Sequence, residues 1–248
     1  MTRILIVNGW SEEGDLSHLK ANCKLQSEIF VSLVKTVIKN SKIDIFNSYR
    51  PLPNLNLNTY DAFIWTGGGG SIYEKNLHNS SQINLCEKIL KLQKPLWGSC
   101  WGMQVVAKTL GVKVFKSKYP EFGLAKNIRI INPILNKSIY KNKKNEFDAP
   151  AHHYDIIETL PDSFISISEN NICYQSIYSQ SMNIFCTQYH SELPYDYISN
   201  LMIYWKNNYN SFFSEKEFYS LVNYLKKKEF HDNGERLIEF NNWLAQLN

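Results

Sequence analysis

Three clusters of residues carry groups that acyl-transfer chemistry needs. The first is Gly98-Ser99-Cys100-Trp101-Gly102. A thiol attacks carbonyl carbon as the thiolate, and a cysteine at a helix N-terminus lies beside partial positive charge that favours this form. Glycines two before and two after it suit a sharp strand-to-helix turn, where larger side chains clash. Such a turn lifts the sulfur off the C-terminal edge of a sheet, where open α/β sheets bind ligands. The backbone N–H of Trp101 then faces the same point as a candidate oxyanion donor. Taken alone, the pattern also describes a buried structural cysteine ahead of a helix.

The second cluster is Thr66-Gly67-Gly68-Gly69-Gly70-Ser71. Consecutive glycines let backbone approach a ligand and turn N–H groups toward developing negative charge. A flexible loop is the plain alternative. A phosphate-cradling loop needs Gly-Lys-Ser/Thr, and the first lysine after the glycines is Lys75. The third cluster is His190-Ser191-Glu192. In extended chain, residues i and i+2 point to one side. Glu192 can therefore hold the His190 imidazole in the tautomer that takes a proton from Cys100. His152 and His153 compete for the role of base.

The elements that must position these groups follow from apolar patterning. Ile4-Leu5-Ile6-Val7 reads as a strand buried on both faces. Leu25, Ile29, Phe30, Leu33, Val34, Val37 and Ile38 form one helical face. Strands are expected at 43–46, 62–65 and 95–97, with a turn-rich connection at Arg50-Pro51-Leu52-Pro53 and a helix from about Gln82 to Leu92. A further helix begins near Trp101 and ends at Leu110-Gly111. This alternation specifies an α/β fold with a mostly parallel central sheet and helices on both faces. Shorter β-like runs follow at 112–115, 125–131, 164–167, 173–177 and 184–188, while 9–20 and 116–123 match no element clearly. From Tyr195 the chain reads helical, with a capping box at Ser214-Glu215-Lys216-Glu217 and a last helix carrying Leu237, Phe240, Leu244 and Leu247. The expected organisation is a domain over 1–193 with a helical extension, 194–248, packed on it. The aromatic-rich stretch from Tyr195 to Phe213 either packs on the sheet or forms a lid, dimer or partner surface.

Taken together, the three clusters resemble the class I, triad-type glutamine amidotransferases. That family's G-x-C-x-G-x-Q motif is matched by Gly98 through Gln104, its T-G-G-P-x-S loop by Thr66 through Ser71, and its Q-F-H-P-E segment by Gln188-Tyr189-His190-Ser191-Glu192. The S-H-x-D segment of GMP-synthase-type members looks like His152-His153-Tyr154-Asp155. The resemblance covers roughly residues 3 to 193 and implies a flavodoxin-like fold. It also implies Cys100 as nucleophile, His190 as base, Glu192 as orienter, and Gly68 or Gly69 with Trp101 as oxyanion donors. Gln104, His153 and Tyr154 fall at substrate-pocket positions. Gly69 and Ser191 stand where the family usually has proline, which loosens the glycine loop and the base–orienter link.

The resemblance further implies cleavage of the γ-amide of glutamine or a related γ-glutamyl compound through a γ-glutamyl thioester, without a cofactor. Only about 55 residues follow Glu192, so no synthase domain is expected here. That leaves a stand-alone hydrolase, a subunit supplying ammonia to a separate synthase, or a non-catalytic binding module on the same fold. A homodimer is a further expectation for the aromatic-rich surface. Composition narrows the field: a net charge of +4 with scattered positive residues gives no nucleic-acid patch. No run approaches the ~18–20 apolar residues of a membrane span, and the N-terminal apolar run is too short for a signal peptide, so a cytoplasmic location is expected. Five widely spaced cysteines without a CxxC pair suggest neither disulfides nor a zinc site. Apart from Cys100 they read as small core residues.

Overall fold

Continuous apolar runs become strands covered on both faces. The computed structural model describes residues 1–51, 55–132 and 139–247; Leu52 and Pro53 of the expected turn lie outside the described residues. In β1 (Arg3–Gly9), Ile4, Leu5, Ile6 and Val7 have no exposed surface. It pairs in parallel with β2 (Lys42–Asn47) on one side and β3 (Ala62–Gly68) on the other. The parallel ladder continues through β4 (Leu96–Ser99) to β9 (Ile184–Thr187). There the sheet changes character. β9 pairs antiparallel with β8 (Tyr174–Ser179), β8 with β7 (Ile165–Glu169), β7 with β5 (Val114–Ile130), and β5 with β6 (Glu146–Ile157).

The sheet is therefore mixed, in the order β2-β1-β3-β4-β9-β8-β7-β5-β6. Parallel pairing governs the half where helices connect the strands. Antiparallel pairing governs the rest, because strands joined by short turns need no crossover. β5 merges two runs expected separately, 112–115 and 125–131, with the unassigned 116–123 into one strand. β6 went unread because His152, His153 and Asp155 interrupt its apolar pattern. Helix α1 (Glu12–Lys20) also lacked a signal: its two leucines, Leu16 and Leu19, are 49% and 52% exposed, so there is no apolar stripe. What supports it is Ser11, whose side chain caps the Gly14 N–H, and acidic residues in its first turn.

Two apolar layers clasp the sheet. On one face α3 (Leu77–Leu90) and α4 (Trp101–Thr109) bring Leu85, Ile89, Met103 and Val106 onto Leu5, Val7, Phe63 and Trp65. On the other, α2 (Gln26–Val37) and the C-terminal helix α7 (Ile238–Ala245) bring Phe30, Val34, Phe240 and Trp243 onto Ile4, Ile6, Ile64 and Trp97. The C-terminal segment thus supplies part of the central core. A buried ion pair reinforces it: Lys143 Nζ lies 2.8 Å from Glu239 Oε2, and Glu239 Oε1 accepts from Tyr189 Oη at 2.8 Å. A third cluster joins α5 (Tyr195–Tyr204) and α6 (Glu215–His231) to Phe122 and Leu124 of β5. Among the described residues no helix is long and apolar enough to cross a membrane.

Candidate active site

Cys100 occupies the corner between β4 and α4 with φ 48° and ψ −95°. Left-handed backbone at a residue with a Cβ costs about 1–3 kcal/mol and persists where the surroundings over-determine it. Here they do. The Cys100 N–H donates to Thr187 O at 2.6 Å, and Gln104 N–H donates to Cys100 O at 3.2 Å. The flanking glycines are needed for close approach: a Cβ on Gly102 meets Trp65 at 2.9 Å, and one on Gly98 meets Cys186 Sγ at 3.0 Å. The thiol of Cys100 is 5% exposed as a residue and lies at the floor of a cleft of about 330 Å³.

His190, just past β9, is the imidazole brought to this sulfur. Its Nδ1 lies 2.7 Å from Glu192 Oε1, and its ring is in hydrogen-bond reach of Cys100. The orienting carboxylate is itself held. Glu192 Oε2 accepts from Ser99 Oγ at 3.0 Å, and Ser99 Oγ accepts from Trp97 Nε1 at 2.9 Å. Arg236 Nη1 donates to the carbonyls of Ser191 and Glu192, both at 3.1 Å, and so fixes the segment that lacks a proline. Burial acts to discharge the His190 imidazolium, but the Glu192 carboxylate and the Cys100 sulfur outweigh it and push its pKa up to about 10. An imidazolium held between the Glu192 carboxylate and the Cys100 sulfur is the state this favours.

The glycine loop closes one side of the cleft. A Cβ on Gly68 falls 2.5 Å from the Trp101 ring, so only glycine lets the loop lie against the start of α4. The Trp101 indole is anchored by Gln82, whose Oε1 accepts from Trp101 Nε1 at 2.9 Å and from Trp65 Nε1 at 3.0 Å. Gly68, Gly69 and Trp101 all line the cleft, as do Gln104, His153 and Tyr154. Gln104 is buried, with Nε2 donating to Asp155 O at 2.9 Å.

The competing histidines face other partners. His152 Nε2 lies 2.6 Å from Tyr209 Oη, and burial lowers its pKa to about 3. His153 Nε2 lies 3.0 Å from Glu121 Oε2, leaving a buried Nδ1 without a partner. The ligand atoms of Glu121, His153 and Cys173 lie within 4.8 Å of one another. The Glu121 carboxylate already accepts from Gln175 Nε2 at 2.6 Å and Asn170 Nδ2 at 2.7 Å, so it serves as a hub that orients His153. Cys173 beside it is half-buried and outside the apolar clusters, unlike Cys23, Cys86 and Cys186, which are core residues as expected.

Several residues of the site escaped the sequence reading. Gln188 Nε2 donates to Cys100 Sγ at 3.5 Å; the same i, i+2 alternation that pairs His190 with Glu192 places Gln188 on that side. Ser99, Gln82, Glu121 and Arg236 act through contacts that no spacing announces. Trp10 and Trp205 line the cleft from opposite ends of the chain. The aromatic-rich stretch divides by residue: Tyr195, Tyr197 and Tyr209 are buried packing, whereas Trp205 faces the cleft.

One cleft of this α/β fold thus brings together a cysteine on a strained strand-to-helix corner, a histidine–glutamate pair and a glycine loop. The profile of the family described as glutamine amidotransferase class-I matches residues 25–195, and the chain belongs to that family. It is 28% identical over 142 residues to a GMP synthase [glutamine-hydrolyzing] of Petrotoga mobilis, covering 56% of this chain and 26% of that protein. It is 33% identical over 114 residues to a gamma-glutamyl-L-1-hydroxyisopropylamide hydrolase of a Pseudomonas species, covering 45% of this chain and 39% of that one. The matched region thus spans well under half the length of these relatives. A glutamine amidotransferase of Thermotoga maritima shares the fold, with a TM-score of 0.71 at 20% identity, covering 99% of this chain and 97% of the other.

Proposed function

We propose that this chain hydrolyses the γ-amide of glutamine or a related γ-glutamyl compound through a γ-glutamyl thioester on Cys100. The observation that carries this reading is His190, seated between Glu192 at 2.7 Å and the sulfur of Cys100. The thiolate adds to the γ-carbonyl carbon. Backbone N–H groups of Gly68 or Gly69 and Trp101 receive the oxyanion, each such donor contributing about 2.7–4 kcal/mol in comparable sites. The C–N bond breaks as the His190 imidazolium passes its proton to the departing nitrogen. The neutral imidazole then takes a proton from water, hydroxide adds to the thioester carbonyl, and the acyl C–S bond breaks to release glutamate and free the Cys100 sulfur. Glu192 keeps the imidazole aligned throughout. Gln104, His153 and Tyr154 hold the glutamyl head.

A second reading, delivery of ammonia to a separate synthase, is supported by the relatives named as GMP synthases. Turnover of glutamine or a γ-glutamyl peptide by the isolated chain, together with a single adduct on Cys100 from a glutamine-like chloroketone, supports the hydrolase. Adduct formation with turnover only on adding a synthase partner supports the second reading. Absence of both adduct and turnover points instead to a binding module that keeps the fold.

A further inference from the structure

The cleft has a wall that glutamine hydrolysis leaves unexplained. Trp10 and Trp205 both line it, with ring centroids 6.2 Å apart. His152, also in the lining, stands 5.6 Å from Trp205. His18 packs behind them, 4.3 Å from Trp10 and 5.8 Å from Trp205. Trp10 lies over the glycine loop: a Cβ on Gly69 meets its ring at 2.8 Å.

The side of the cleft this wall occupies follows from its neighbours. Gln104, His153 and Asp155 also line the cleft, and Gln104 is tied to the Asp155 backbone. The wall lies toward His190. A Cβ on Gly67 meets His190 Cε1 at 2.8 Å, placing the imidazole under the loop that Trp10 covers. Burial, joined by the nearby charge of His190, lowers the pKa of His18 to about 4 and of His152 to about 3. Both rings are neutral at pH 7, so the wall is apolar and uncharged. His190 is the group that must protonate the departing nitrogen, so whatever that nitrogen carries comes to rest against this wall.

Ammonia is one heavy atom and needs no such surface. A wall of two indoles and an imidazole matches an apolar group of several carbons, and burying such a group is favourable at about 25 cal/mol per Å².

We propose that Trp10, Trp205 and His152 form a subsite for the departing amine. Its substrates are substituted γ-glutamyl amides whose amine carries an aromatic or branched aliphatic group. The proposal rests on the hydrolase reading and specifies its substrate class.

The test is steady-state kinetics of the full chain on glutamine, γ-glutamylglycine, γ-glutamylphenylalanine and γ-glutamylanilide. We expect kcat/KM for the two aromatic substrates to exceed that for glutamine by roughly tenfold or more. Trp205→Ala should cut that ratio by about tenfold, and Trp205→Phe, which keeps a ring and guards against a folding defect, should retain most of it. Glutamine turned over as well as or better than the aromatic substrates overturns the subsite and leaves the hydrolase standing, as does an aromatic-to-glutamine ratio that neither Trp205 variant moves. Failure of all four substrates removes the hydrolase reading and this one with it.

Discussion

Cys100 stands on a corner fixed by backbone hydrogen bonds to Thr187 and Gln104. The same cleft has a wall assembled from Trp205 just past α5, His152 of β6 and Trp10 in the loop after β1. The parallel half of the sheet thus positions the candidate groups: β3 ends in the glycine loop, β4 leads into Cys100, and β9 leads to His190. The antiparallel half and the C-terminal segment contribute rings to the cleft and a hub carboxylate, Glu121, behind His153. Positions whose geometry must hold to a fraction of an ångström are on strands buried on both faces. The rings proposed to select the substrate lie outside that parallel ladder.

Substitutions can break this division, and the largest effect belongs to the parallel half. Cys100→Ala should lower kcat by about 10⁴-fold or more, while urea unfolding changes by less than about 1 kcal/mol. Retained turnover in that variant would end the division at once. Glu192→Gln comes next. It keeps the shape of the carboxylate but removes its charge, and kcat should fall by about 10²–10⁴-fold.

The same variant tests the charge on His190. Its pKa in the fold, about 10, stands above the ordinary 6.5. The wild-type kcat/KM profile should therefore hold its general-acid plateau until a descending limb near pH 10, and Glu192→Gln should move that limb downward. The sign for stability follows from the same shift. The imidazolium's contribution is complete below pH 6.5 and is lost as pH rises toward about 10. Urea midpoints measured at pH 6.5, 8 and 9.5 should fall in wild type and fall less in Glu192→Gln.

The C-terminal helices should answer in stability first. Lys143→Met strands the fully buried Glu239 carboxylate, and unfolding free energy should drop by about 3–5 kcal/mol. Below its lowered melting point the variant should still form the Cys100 adduct, because the corner itself is untouched. The smallest effect is expected at the exposed Lys113–Glu158 pair, whose side chains are 64% and 47% accessible. Lys113→Ala should change stability by no more than about 0.5 kcal/mol and leave kinetics alone.

Legibility followed the same line. Ile4 to Val7, the glycine run and Gly98 to Gly102 are local signals, since a buried strand and a tight corner each dictate residue types at fixed offsets. α1 and β6 were illegible because their stability comes from capping and from pairing with β5, and neither leaves an apolar period. The mostly parallel sheet was read from the first hundred residues, where alternation with helices is clear. The antiparallel half had to be seen, because imperfect alternation does not fix register or partner.

The sequence by itself determined the chemistry available: a thiol at a glycine-flanked strand-to-helix turn, an imidazole two residues from a carboxylate, and a loop able to present N–H groups. Tertiary structure alone decided who steadies these groups and what stands opposite them. Ser99 on Glu192, Gln188 on the sulfur, Arg236 behind the base and the rings of Trp10 and Trp205 meet across long stretches of chain. Their meeting depends on how helices and strands pack in three dimensions, and no spacing along the polymer encodes that.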